Sequence, residues 1–227
     1  MPPQVDHALL PGSGVYRAIM VGGLLVSFLL WLKFVRRDRR MIAVYLGAVL
    51  GGFTGAKIVF VLAEGWLFWG KPEFWGIILS GKTIVGALLG GYAGVEIGKA
   101  SVGYKSATGD WFALIVPLGI AAGRIGCLSA GCCQGIALES GSLWPAAAVE
   151  LGFNLTVFVI LWPLRKITRL NGQLFHIYLI AYGIFRFAHE FLRATEKPFL
   201  SLSGYQLAAI ALVALAVIRY RQRSRCN

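Results

Sequence analysis

Residues 41–62 read MIAVYLGAVLGGFTGAKIVFVL, a run of 22 residues whose single charge is Lys57. A bilayer's hydrocarbon core is about 30 Å thick and takes about 20 apolar residues of α-helix to cross, so this stretch is long enough for one full span. Further apolar runs at about 15–33, 75–98, 111–130, 143–164, 174–192 and 204–218 are separated by short polar or glycine-containing turns, and bring the expected total to about seven spans. With 57% hydrophobic and only 14% charged residues among 227, and a mean hydropathy of +0.70, the chain reads as a single all-α integral membrane domain over 1–227 with no room for a sizeable soluble one. Residues 1–14 carry Pro2, Pro3, Asp6 and Pro11 without the basic start of a signal peptide, and are expected to be retained.

A net charge of +12 on a soluble protein would suggest a nucleic-acid partner, but in a membrane protein the position of the charges decides. With the N-terminus outside, the inward connections hold Lys33, Arg36, Arg37, Arg39, Arg40, Lys99, Lys105, Arg165, Lys166, Arg169, Arg219, Arg221, Arg223 and Arg225, which is 14 of the 22 basic residues. The outward connections hold Arg17, Lys71, Lys82, Arg193 and Lys197. Basic residues collect on the cytoplasmic side, so the expected orientation is N-out and C-in, with no nucleic-acid partner. The outward segment 64–76, EGWLFWGKPEFWG, mixes Trp66, Trp69 and Trp75 with charges, the composition of a chain lying at headgroup level; the alternative is a lid over a lipid site.

Charges inside the spans are the functional signal, because each costs roughly 2.5–3.5 kcal/mol at a helix centre on insertion scales and so implies a partner, water or a ligand. Lys57, Glu96, Arg124 and Glu150 are such residues, each of which could also be a snorkelling or structural charge. In the sixth run, AYGIFRFAHEFLR, Tyr182, Arg186, His189, Glu190 and Arg193 recur every three or four residues and share one helix face. That face must meet the bundle interior or a polar cavity, although Arg186 and Glu190 could also simply neutralise each other.

Residues 123–135, GRIGCLSAGCCQG, bracket Arg124 and three cysteines with glycines at 123, 126, 131 and 135, which allow close backbone approach to a neighbour or a ligand. A guanidinium there suits phosphate, which it can grip with two parallel bonds. The spacing of Cys127, Cys132 and Cys133 lacks the paired Cys-x-x-Cys of a zinc site and the single Cys-x-x-Cys of a thioredoxin-like motif, so no metal or cofactor is expected. A Cys127 disulfide to one of the other two, small core residues, and a reactive thiol all remain open. Residues 76–83, GIILSGKT, match GxxxxGKT only formally, since a phosphate-binding loop follows a strand and opens a soluble helix.

In chain order these features resemble the prolipoprotein diacylglyceryl transferase family, bacterial inner-membrane enzymes that move a diacylglyceryl group from phosphatidylglycerol to a lipoprotein cysteine. GRIG at 123–126 is similar to the start of the family signature GRIGNFINGE, and YGIFRFAHEFLR at 182–193 to YGxxRxxxExxR. Weaker likenesses are Tyr16 for an early family tyrosine, GAK at 55–57 for GAR, Pro145 and Glu150 within HPSQLYE, and GYQ at 204–206 for MGQ. The resemblance implies catalytic roles for Arg124, Arg186 and Glu190, and substrate binding by Tyr16, Lys57, Gly123, Gly126, Cys127, Glu150, Tyr182 and Gln206. His189, one turn from Arg186, is the candidate base. The expected partners are phosphatidylglycerol, a thiol acceptor of the prolipoprotein kind, and the membrane.

The departures fall on other groups. The family's HGGL aligns with Val85, Gly86, Ala87 and Leu88, the signature's Asn and Glu with Cys127 and Cys132, and the His-Pro of HPSQLYE with Trp144-Pro145. Two further readings compete: a lipid-binding or transport protein on the same fold, with glycine-broken helices at 81–98 and 118–135, and a membrane thiol or redox enzyme built on the three cysteines.

Overall fold

The computed structural model describes residues 14–133, 135–139 and 141–224, and the side chains of 14–17, 20 and 34 fall outside that description. Its helices are α1 (Gly14–Val35), α2 (Met41–Ala63), α3 (Phe74–Ser80), α4 (Ile84–Ser101), α5 (Gly109–Ser129), α6 (Ala146–Leu164), α7 (Leu174–His189) and α8 (Gly204–Ser224). Among the described residues there is no strand, only isolated bridges. Helices α2, α5, α6 and α8 are each long and apolar enough to cross a membrane, and the bent pair α3–α4 makes a fifth candidate. Leu50, Phe53 and Leu62 on α2 are 63%, 66% and 69% exposed, which only a lipid surrounding makes favourable for side chains of this kind. The protein is a multi-pass membrane protein.

The run expected as one span over 75–98 is broken. Gly81 to Thr83 are non-helical, and α3 meets α4 at 55°. Hydropathy does not see such a break, because Gly-Lys-Thr is too short to interrupt an averaged run. Lys57 explains how the break is tolerated: its Nζ donates to the carbonyl of Ile78 at 3.1 Å and also to that of Leu79, two acceptors left over at the end of α3. Thr83 N donates to Ala56 O at 3.2 Å, tying the non-helical segment to the same stretch of α2. The formal GxxxxGKT match therefore lies across a helix break, with no strand before it.

Helices α2 and α4 form the closest pair in the fold. Gly47, Gly51 and Gly55 on one helix face Gly94, Gly90 and Gly86 on the other, and a Cβ on any of them would overlap the opposing backbone. Glycine every fourth residue on both helices is what allows this approach, and dispersion between backbones replaces the hydrophobic drive that lipid does not supply.

The main core lies between α4, α5, α6, α7 and α8, around Val85, Leu114, Leu161, Tyr178, Leu179, Tyr182 and Leu212. At one end of the bundle Asp110 accepts from Gly172 N at 2.6 Å and Leu174 N at 3.2 Å, capping the start of α7 from the first turn of α5. Tyr92, His176 and Gln173 continue this polar end, with His176 Nε2 3.1 Å from the Tyr92 hydroxyl and Nδ1 2.9 Å from Gln173 Oε1. The opposite end, where α5 and α7 finish and α6 and α8 begin, holds the buried charges.

Gly90→Leu should separate α2 from α4 and lower stability by about 1–3 kcal/mol or more, the usual cost of overpacking. Thermal unfolding of the detergent-solubilised protein should show this loss, whereas Gly22→Leu, at a position with open space around it, should leave the midpoint unchanged.

Candidate active site

Two helices supply a ladder of polar rungs. On α6, Glu150 and Asn154 are one turn apart, and on α7 so are Tyr178 and Tyr182. Tyr182 OH donates to Glu150 Oε1 at 2.7 Å and Tyr178 OH to Asn154 Oδ1 at 2.9 Å, while Asn154 Nδ2 returns to the Glu150 carbonyl at 2.8 Å. All four side chains are fully buried. In so apolar a setting an unmatched hydroxyl or amide would cost several kcal/mol, so these bonds fix how the two helices face each other.

The charged groups continue the ladder past its last rung. Arg124 Nη2 lies 2.7 Å from Glu150 Oε2, joining α5 to α6. Arg186 Nη2 lies 2.6 Å from Glu190 Oε2 one turn along α7, and Arg193 Nε approaches the same oxygen at 3.7 Å. The other Glu190 oxygen accepts from Thr195 Oγ1 and from Ser203 Oγ, the latter at 3.3 Å. Arg124 and Arg186 sit in the final turns of their helices and Glu150 in the second turn of its own, each at the end of the helix macrodipole that favours its charge.

Three guanidinium groups against two carboxylates leave one positive charge uncompensated. Arg186 Nη1, Arg193 Nη1, Arg124 Nε and His189 Nδ1 are buried without a hydrogen-bond partner. Buried guanidinium donors left over from the ion pairs can take an acceptor from outside the chain, and an anionic oxygen suits them. Gly123, beside Arg124, has open space where a side chain would stand.

The structure redistributes the expected site residues. It brings together Arg124, Cys127, Glu150, Tyr182, Arg186, His189 and Glu190, with Gly126 buried in the same turn of α5. Lys57 is not among the arginines but holds the end of α3. Gln206 is a helix cap rather than a free binding group: its Oε1 accepts from Ser203 N at 2.8 Å while its backbone N donates to Ser203 Oγ at 3.2 Å, a reciprocal capping box. The Tyr16 side chain lies outside the described residues.

His189 does not have the arrangement of a free base. Trp144 Nε1 donates to its Nε2 at 3.1 Å, so that nitrogen's lone pair is engaged and the neutral ring carries its proton on Nδ1. The ring stacks on Phe185 with centroids 4.9 Å apart, which holds this orientation. Trp144 stands where the resemblance has a histidine, and Val85, the position of the other family histidine, is fully buried in the core. Sequence reasoning passed over Asn154, Thr195 and Ser203. Asn154 had a visible signal, a polar residue four positions after Glu150 in an apolar helix, whereas Thr195 and Ser203 are ordinary loop residues until the fold turns them toward Glu190.

A family model described as prolipoprotein diacylglyceryl transferase matches residues 14–221 of the chain. A protein of Dehalococcoides mccartyi named phosphatidylglycerol–prolipoprotein diacylglyceryl transferase is 31% identical over 227 aligned residues, covering 88% of this chain and 85% of that protein. One of Clostridium perfringens, bearing the same name with the suffix 2, is 31% identical with 88% of each chain covered. Another, of Clostridium tetani, is 26% identical, with 89% and 90% covered.

Removing one member of a buried ion pair strands the other. Glu150→Ala should destabilise the protein by about 3–5 kcal/mol, while Arg124→Leu combined with Glu150→Leu should recover most of that loss in thermal unfolding. Recovery by the double variant is the expected sign that the single variant's defect is an unpaired charge.

Proposed function

The chain belongs to the prolipoprotein diacylglyceryl transferase family, and from that premise we propose that Arg124, Arg186 and Arg193 hold the phosphate of phosphatidylglycerol while its diacylglyceryl group passes to the cysteine thiol of a prolipoprotein. The observation that carries this is the set of buried, unpartnered guanidinium N–H groups around one uncompensated positive charge. In the reaction a thiolate sulfur bonds to the glycerol carbon as the carbon–oxygen bond to phosphate breaks, and glycerol phosphate departs with the electron pair. Negative charge therefore grows on the leaving phosphate, and fixed donors aimed at growing charge are usually the largest catalytic contribution. Glu150 and Glu190 act through the arginines, fixing their direction without touching the lipid. His189 adds a neutral N–H donor. The family match lends no support to the transport and redox readings.

We further propose a seven-span arrangement in the bacterial inner membrane, with α3 and α4 forming one broken span, the N-terminus outside and the C-terminus in the cytoplasm. The 14 basic residues that then lie on the inner connections support it. The arginine cluster in this arrangement faces the outer leaflet, beside the Trp66, Trp69 and Trp75 segment.

Purified protein mixed with labelled phosphatidylglycerol and a lipobox peptide should release glycerol phosphate, and Arg186→Lys should cut the rate by about 10²–10³, the loss typical of one transition-state donor. Release no greater than that of Arg124→Lys would overturn the reading. For orientation, a C-terminal alkaline phosphatase fusion should be inactive and a fluorescent-protein fusion bright; the reverse pattern would overturn N-out and C-in.

A further inference from the structure

The sulfur atoms of Cys127, Cys132 and Cys133 all lie within 4.8 Å of one another, although the spacing of these residues in sequence resembles no zinc motif. The fold makes the cluster. Cys127 is in the last turns of α5, the chain reverses through Gly131, and Cys133 takes a positive φ of 62°, which brings its Sγ to 3.9 Å from that of Cys127. For a residue other than glycine that backbone conformation costs of order 1 kcal/mol and marks a constraint imposed by the surroundings. Three thiolates around a cation at about 2.3 Å hold their sulfurs roughly 3.8–4 Å apart, so the Cys127–Cys133 separation already fits and the third sulfur is within a small side-chain rotation.

We propose that Cys127, Cys132 and Cys133 bind one zinc ion, and that its fourth coordination position takes the acceptor thiol; this rests on the transferase reading of the neighbouring arginines. Charge and exposure agree with the assignment. Zinc with three thiolates carries one net negative charge, which the surplus arginine charge balances, and Arg124 Nη1 stands 3.6 Å from Cys127 Sγ. The phosphate is then held by the directed guanidinium N–H donors rather than by net charge. Arg193, which brings a second guanidinium, is bridged through its backbone to Gly135, two residues beyond Cys133. Cys127 is buried while Cys132 and Cys133 are half-buried, so the cluster opens on one side toward a ligand. Three protein ligands and one exchangeable position is the pattern of catalytic rather than structural zinc.

The chemistry fills a gap in the site. No histidine stands at Val85 or Trp144, and His189 has its lone pair engaged by Trp144, so the arginine cluster contains no evident base for a thiol. A thiol that coordinates zinc does so as thiolate, releasing its proton to water. Its sulfur then bonds to the glycerol carbon, the carbon–oxygen bond breaks, and the electron pair leaves on the phosphate oxygen beside the arginines. The product is a neutral thioether, a weaker ligand, which frees the position for the next thiol.

Metal analysis of the full chain purified in detergent without chelators should find about one zinc per chain, falling to background in Cys132→Ser and persisting in Cys132→His, which keeps a zinc ligand. Protein loaded with Co²⁺ should show a sulfur-to-cobalt charge-transfer band that intensifies on adding a lipobox peptide and not its Cys→Ser version. Absence of zinc in a protein that still releases glycerol phosphate would overturn this inference and leave the transferase reading standing. Stoichiometric copper in place of zinc, or a Cys127–Cys133 disulfide in the purified native protein, would also overturn it. Zinc and the peptide-dependent band in a protein that releases no glycerol phosphate would keep the site and overturn the transferase premise.

Discussion

Two carboxylates with no solvent exposure, Glu150 and Glu190, set the terms for the rest of the bundle. Neither can remain ionised in an apolar interior without cations and hydrogen bonds around it, and each recruits them from several elements. Glu150 gathers Arg124 from α5 and Tyr182 from α7; Glu190 gathers Arg186, Arg193, Thr195 and the Ser203 that caps α8. The end of the bundle where these helices meet is thereby specified by directional bonds, which packing in lipid alone would specify poorly. Having two such acids for three arginines leaves one surplus positive charge at this end of the bundle.

What was legible in the sequence depended on whether contacts are local. The α7 stripe of Tyr182, Arg186, His189 and Glu190 could be read from its three- and four-residue spacing, and the fold keeps it on one buried face. The partner of Arg124 could not be read, because Glu150 lies on a different helix and nothing in either neighbourhood names the other. The break at 81–83 was hidden by its apolar flanks, and the role of Lys57 was hidden with it, since an orphaned carbonyl at a helix end leaves no mark in composition. Gln206, singled out by motif likeness, also has a purely local signal: its three-residue spacing from Ser203 is the sequence form of a helix cap.

The same distinction governs the cysteines. Spacing rules for metal sites describe ligands offered by short loops of known shape, and C-x4-CC is not among them. A helix end, a glycine turn and one strained residue bring the three sulfurs together instead. With Val85 and Trp144 offering no acid–base group, the zinc proposed on these cysteines would take over ionisation of the acceptor thiol.

The glycine seam between α2 and α4 places a different constraint on the fold. With backbone against backbone at Gly47, Gly51 and Gly55, almost every substitution there adds atoms where none fit, so the seam has little freedom to drift in composition. Helices α5 and α6 instead meet at the site through side chains, as Arg124 does with Glu150, and such a pair can be exchanged together. The mutational tolerance of the fold is therefore uneven, and lowest along the seam that holds α2 against α4.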